Sequence, residues 1–332
     1  MRDFDVRGKR VLLTGATGFI GSHLIGALSA AGADLVVLVR RTSSLRWLEG
    51  ISHRRVVADL AQADDLTEAV DGVELVFHLA GVLRASNRSA YMEGNVDGTR
   101  HLLSALMELP TPPRVIHLSS LAAAGPSPEG KPWNEADPVR PMGLYGESKK
   151  MAEDVVREMR EDLPTVVLRP PMVYGPREAD FLGICRAVRH GVLPHLGRGK
   201  RTMSLVHVQD LVDAIIEAAR RAPAGGTYYV AHPEILSWED LLSGVASALG
   251  VRGRRLVIPE WIIRVAATAG EWATRITGKE TIINKERTVE WRHRHWVCDP
   301  SLAEREWGFR ARIPYRLGIV GTVEWYRREG WL

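Results

Sequence analysis

Cysteine is nearly missing from this chain: two in 332 residues, Cys185 and Cys298. They lie far apart and make no metal-like spacing with histidine. The expectation is therefore reduced thiols in a cytoplasmic protein, with no disulfide framework and no metal site. Charge of one sign is also lacking. Against 44 basic residues stand 40 acidic ones, for a net charge of +4 with no long single-sign block. That argues against a nucleic-acid surface, although a pI near 9.2 slightly favours anionic ligands. No apolar run reaches the roughly 20 residues of a membrane-spanning helix. The nearest, Ile258 to Ala269, is cut by Glu260 and Arg264. It reads as a soluble helix, with a helix lying on a membrane surface as the alternative, so no stable membrane insertion is expected. Repeats and low-complexity tracts are lacking, and no signal peptide is expected before the first strand. What remains is 45% apolar and 25% charged, an ordinary globular composition long enough for one large domain or a domain with a lobe.

The stretch Val11-Leu12-Leu13-Thr14-Gly15-Ala16-Thr17-Gly18-Phe19-Ile20-Gly21 carries the first chemical signal. An apolar run of strand character ends at Thr14, two glycines make a turn, and a helical pattern starts at once. A helix N-terminus leaves backbone N–H groups and the positive dipole end facing an anion. Gly15 suits the tight turn, Gly18 the approach of a pyrophosphate, and Gly21 close packing of helix on strand. Thr17, Phe19 and Ile20 lie in the same turn, and the reading is a dinucleotide site.

Strands and helices then alternate. Strands are expected near Arg10–Thr14, Asp34–Val39, Arg54–Val57, Leu75–Leu79, Arg114–Leu118 and Thr165–Leu168, with helices near Gly18–Ala31, Ala63–Val70, Met92–Leu109 and Gly146–Glu161. The pattern predicts an α/β, doubly wound parallel sheet whose short Val-, Ile- and Leu-rich strands are buried on both faces.

The second strand runs into Arg40-Arg41-Thr42-Ser43-Ser44. In such a sheet this strand end meets the adenosine ribose, where a carboxylate selects NAD and arginine attracts a 2′-phosphate. Arg40 with no acid beside it favours NADP(H), leaving NAD(H) open. Asp59 and Leu60 after the third strand are placed beside the adenine. At the end of the fourth, Leu79 with the small residues Ala80 and Gly81 suits a cofactor lying across the sheet. His78 reads as packed and hydrogen-bonded rather than catalytic. Asn95, in Asn95-Val96-Asp97-Gly98-Thr99, is a poor helix former inside a helical pattern, and either supports the catalytic groups or is plain surface.

The fifth strand leads to Ser119-Ser120, and a proline-rich loop then reaches Tyr145-Gly146-Glu147-Ser148-Lys149. Tyr145 and Lys149 are four apart and share one helix face. A phenol of pKa about 10 is a poor acid or base at neutral pH. A neighbouring ammonium favours the phenolate and brings it toward working pH. A serine hydroxyl donating to a substrate oxygen completes the constellation.

Together these motifs resemble the extended short-chain dehydrogenase/reductase family, which holds nucleotide-sugar epimerases and dehydratases, dihydroflavonol reductases and 3β-hydroxysteroid dehydrogenases. The likeness also takes in Arg169-Pro170-Pro171-Met172-Val173-Tyr174-Gly175-Pro176, Leu205-Val206-His207-Val208-Gln209-Asp210-Leu211 and the ending Glu324-Trp325-Tyr326 to Gly330-Trp331-Leu332. It implies Ser120, Tyr145 and Lys149 as the catalytic set, with Asn95 a structural or proton-relay member. Ser120 is chosen over Ser119 by its distance from Gly125, as in the family, and Ser119 is placed beside the cofactor. Pro170 and Val173 are expected at the nicotinamide end, and Lys149 on its ribose. The resemblance further implies a Rossmann domain of residues 1–174 plus about 202–233 and 286–300. A smaller, mostly helical substrate lobe would take about 175–201, 234–285 and 301–332. A homodimer is a family expectation.

Members acting on nucleotide sugars often carry Asn just after the position of Arg169; here Pro170-Pro171 stands. Arg201-Thr202-Met203-Ser204-Leu205 is likewise less polar than their pattern. Eight of ten tryptophans fall between Trp238 and Trp331, mostly as packing residues, and a lobe so aromatic suits an apolar or ring-bearing substrate. The expectation is an NADP(H)-dependent oxidoreductase interconverting a ketone and a secondary alcohol on an apolar or mixed small molecule. A nucleotide-sugar epimerase or dehydratase holding NAD is the alternative, for which Arg292 and Arg294 in Arg292-His293-Arg294-His295 could clamp a pyrophosphate. A non-catalytic nucleotide sensor is the remote one.

Overall fold

A computed structural model of the chain describes residues 6–62, 65–85, 87–128, 131–197, 199–259, 261–262 and 293–332. Seven strands form one sheet in the order β3-β2-β1-β4-β5-β6-β10. They are β1 (Arg10–Thr14), β2 (Asp34–Val39), β3 (Arg54–Val57), β4 (Leu75–His78), β5 (Arg114–Leu118), β6 (Thr165–Arg169) and β10 (Thr227–Tyr229). All of their pairings are parallel.

Strand alternation feeds two cores. On one face Val11, Leu13, Val37, Phe77, Ile116 and Val166 pack against α1 (Phe19–Ala30) and α7 (Val208–Arg221). On the other, Leu12, Val36, Val76, Val115 and Val167 meet Leu102, Leu103 and Leu106 of α4 (Gly98–Met107) and Val155 and Val156 of α5 (Gly143–Glu158). With both faces covered, the strands read as near-continuous apolar runs. The order reverses between β1 and β4, which opens a crevice at their carboxyl ends.

Three helix boundaries differ from the sequence expectation, the first being the helix expected over Ala63–Val70, which covers Thr67–Val70. The helix expected from Met92 opens as a π-helical turn, Met92–Asp97, and becomes α4 only at Gly98. The helix expected from Gly146 begins at Gly143, directly after the extended backbone of Met142, so Tyr145 lies in its first turn. Strand β4 stops at His78, one residue early.

The lobe core gathers Tyr174, Phe181, Leu241, Leu242, Ile319, Val323 and Tyr326. Its helices are α6 (Ala179–Arg189), α8 (Trp238–Leu249) and α10 (Tyr315–Arg328). Beside them lie a sheet of β7 (Met172–Tyr174), β9 (Thr202–His207), β11 (Ile235–Ser237) and β13 (His295–Trp296), and a pair, β8 (Val192–Leu196) with β12 (Arg254–Ile258). Helix α9 (Ser301–Trp307), placed with the lobe on the sequence, packs Ala303 and Trp307 into the large-sheet core instead. Among the described residues no helix is long and apolar enough to cross a membrane. Most of Ile258–Ala269, with Trp272, Trp291 and Arg292, lies outside the described residues.

Candidate active site

The glycine turn is built by close approach. Gly15 has φ +75°, and a Cβ there would lie 2.7 Å from the Ala80 nitrogen; one on Gly21 would lie 2.1 Å from the Gly15 oxygen. Any side chain would push the turn off β4 or α1 off the turn. Gly18 caps α1 with no side-chain hydrogen bond, leaving first-turn N–H groups to an anion above. A dinucleotide fits this cradle.

Above it lies a cavity of about 640 Å³, within the size range of small-molecule sites. Every catalytic and cofactor-binding residue named from the sequence borders it. Gly15, Thr17, Gly18, Phe19, Ile20 and Gly21 form its floor, and Arg40, Asp59 and Leu60 close the β2–β3 end. Leu79, Ala80 and Gly81 follow β4, Ser119 and Ser120 follow β5, and Asn95, Tyr145, Lys149, Pro170 and Val173 complete the wall. Arg40 is exposed, and its N–H donates to the Ser43 hydroxyl at 3.1 Å, bringing Ser43 to the same wall. Sequence reasoning missed Ser43, Val82, Leu83, Pro171 and Glu178. Val82 and Leu83 continue a segment already recognised, whereas Glu178 comes from the lobe and has no local signal.

His78 is buried with both ring nitrogens engaged. The Thr99 hydroxyl donates to the Asn95 carbonyl at 2.6 Å, so Nε2 of His78 carries the proton toward Thr99, 3.0 Å away. The Thr14 hydroxyl accepts from the Ala80 N–H at 3.2 Å and donates to Nδ1 at 2.8 Å. Burial, then the Lys149 charge, pushes the imidazole down to about 3, so it stays neutral. The packed, hydrogen-bonded role expected for His78 is what the structure has.

Asn95 sits in the π turn, 2% exposed. Its amide donates to Val82 O at 3.0 Å and Ser148 Oγ at 2.8 Å, while its Oδ1 accepts from Val82 N at 2.6 Å. Ser148 in turn donates to Tyr145 O at 2.8 Å. Asn95 thus joins the loop after β4 to the first turn of α5. One turn beyond Tyr145, the buried Lys149 ammonium donates to Leu118 O at 2.7 Å. Burial holds its pKa down at about 8, with the Glu153 carboxylate opposing.

The two serines differ. Ser119 donates to the carboxylate of Glu153, which also takes a bidentate bond from Arg169, at 2.9 Å from Nε and 2.6 Å from Nη2. Ser120 accepts from the Ala122 N–H at 3.1 Å, which leaves its own proton to donate into the cavity. Arg294 does not border the cavity; a Cβ on Gly199 would come within 3.0 Å of its guanidinium. Among the described residues no cluster of three or more His, Cys, Asp or Glu could hold a metal.

Residues 11–231 match the NAD dependent epimerase/dehydratase family. The chain is 30% identical to a ceramide reductase of Caulobacter vibrioides, over 99% of this chain and 97% of that protein. It is 26% identical to a 4-hydroxy-2-methyl-3-oxo-4-farnesyl-3,4-dihydroquinoline-1-oxide ketoreductase of Stigmatella aurantiaca, over 93% and 94%. Among solved structures, MoeE5 in complex with UDP-glucuronic acid and NAD superposes with a TM-score of 0.77 at 26% identity, covering 96% of this chain and 99% of that one.

Proposed function

The chain belongs to the NAD dependent epimerase/dehydratase family, and from that premise we propose that it is an NADP(H)-dependent reductase of a ketone, or dehydrogenase of the matching secondary alcohol, on an apolar or mixed substrate. An enzyme using a nicotinamide dinucleotide is already given by its relatives. The finer reading rests on one observation: Ser120, with a proton to donate, borders the same cavity as Tyr145 and Lys149, and that cavity is walled by Val82, Leu83, Pro170, Pro171 and Val173.

The cofactor supplies or takes the hydride. Ser120 Oγ donates to the substrate oxygen and stabilises charge as it develops there. Tyr145 gives the hydroxyl its proton in reduction and takes it in oxidation. Lys149, largely cationic at pH 7 with a pKa near 8, favours the phenolate and stands where the nicotinamide ribose is expected. Arg40 and Ser43 favour a 2′-phosphate.

A nucleotide-sugar epimerase is the second reading, favoured by MoeE5, solved with UDP-glucuronic acid. The two part on net cofactor use. Incubated with NADPH and a panel of long-chain ketones, a reductase consumes NADPH in proportion to product. A chain that consumes none, yet interconverts UDP-sugars, is an epimerase.

A further inference from the structure

Strand β12 pairs only with β8 among the described residues. Arg254, Arg255, Leu256 and Val257 are all exposed, so the strand shows both faces to solvent. Leu256 is 51% exposed and Val257 37%; just beyond, Trp261 is 63% and Ile262 40%. Scattered apolar residues on a surface need no explanation, but these four fall within seven residues of chain, with Leu256 and Val257 on opposite faces of the edge strand.

Cations surround it. Arg252, Arg254 and Arg255 are exposed, and the bond from Arg254 N to Gly191 O at 2.8 Å brings Arg189 alongside. Among the described residues the facing acid is Glu239, 3.9 Å from Arg255 and 3.3 Å from His195. An aliphatic tip with an exposed tryptophan and a basic collar is the chemistry of an interfacial anchor. A second copy meeting this edge about a two-fold axis would set the same arginines against one another.

We propose that the β12 edge docks on an anionic membrane surface, with Arg252, Arg254 and Arg255 over the headgroups and Leu256, Val257, Trp261 and Ile262 at the acyl boundary. The docking does not depend on the substrate reading. An apolar substrate would gather in the same bilayer.

The test is co-sedimentation of the full chain with vesicles of phosphatidylglycerol or of phosphatidylcholine, at low and high salt. Phosphatidylglycerol vesicles should carry down more protein, and salt should reduce it. Arg254→Gln with Arg255→Gln should weaken that partition about tenfold or more. Leu256→Ser with Trp261→Ser should weaken it for both lipids. Unchanged melting temperatures would separate lost docking from lost folding. Equal partition to the two lipids, or full binding by both double variants, overturns the proposal. So does a change of oligomeric state in either variant by light scattering, which would give the edge to a second copy.

Discussion

Asn95 holds both backbone polar groups of Val82, accepting from its N–H at 2.6 Å and donating to its carbonyl at 3.0 Å. A loop at the cavity wall is thereby fixed as if it were paired in a strand. Asn95→Ala leaves both groups without these partners. We expect a loss on the order of 1–3 kcal/mol, seen as a lower denaturant midpoint at unchanged slope, together with reduced turnover. An unmoved midpoint would mean that the clamp carries no load.

Tyr145→Phe removes the hydroxyl that carries the proton. Turnover should fall by a factor of about 10² or more, with cofactor affinity by titration calorimetry nearly intact. Full activity in this variant would exclude the proposed chemistry.

Lys149 has its pKa lowered from 10.5 to about 8. The unfolded chain binds this proton up to the higher value, so between the two stability rises with pH. Below pH 8 the buried charge costs on the order of 3 kcal/mol, against about 1.5–3 kcal/mol for its charge-assisted bond to Leu118. Lys149→Met should therefore be inactive yet at least as stable as the parent at pH 7, with any gain closing as the pH passes 10. Turnover of the parent should decline above about pH 8. A variant less stable at pH 7 would contradict this account.

His117 is 1% exposed and, among the described residues, neither ring nitrogen has a hydrogen-bond partner. Burial, with the charge of Lys149, depresses its pKa well below 6.5. The unfolded chain takes up this proton first as pH falls below 6.5, so stability is lost on acidification. His117→Leu should raise stability by on the order of 1 kcal/mol at pH 7 and by more at pH 5, measured by urea unfolding at both. An equal gain at the two pH values would show that the histidine does not titrate on unfolding.

Arg40→Asp replaces the residue expected at the ribose phosphate with the acid that repels it. The ratio of NADP to NAD affinity should fall at least about tenfold, each Kd being read by fluorescence titration. An unchanged ratio would remove Arg40 from cofactor choice.

The sequence alone determined what short-range order encodes. Strand runs of Val, Ile and Leu, a glycine turn before a helix, and a four-residue spacing on one helix face are local patterns, and each was legible within a dozen residues. They named the fold, the cradle and the pair Tyr145 and Lys149. Tertiary structure decided what depends on partners distant in the chain. Ser119 and Ser120 are neighbours of one type at one strand end; their roles separate because Glu153, 34 residues on, claims the first, while the turn beginning at Leu121 leaves the second its proton. Glu178 reaches the cavity, Arg294 stays out of it, and His117 has no hydrogen-bond partner among the described residues. Each of these follows from which surfaces meet in packing, and no spacing along the chain records that.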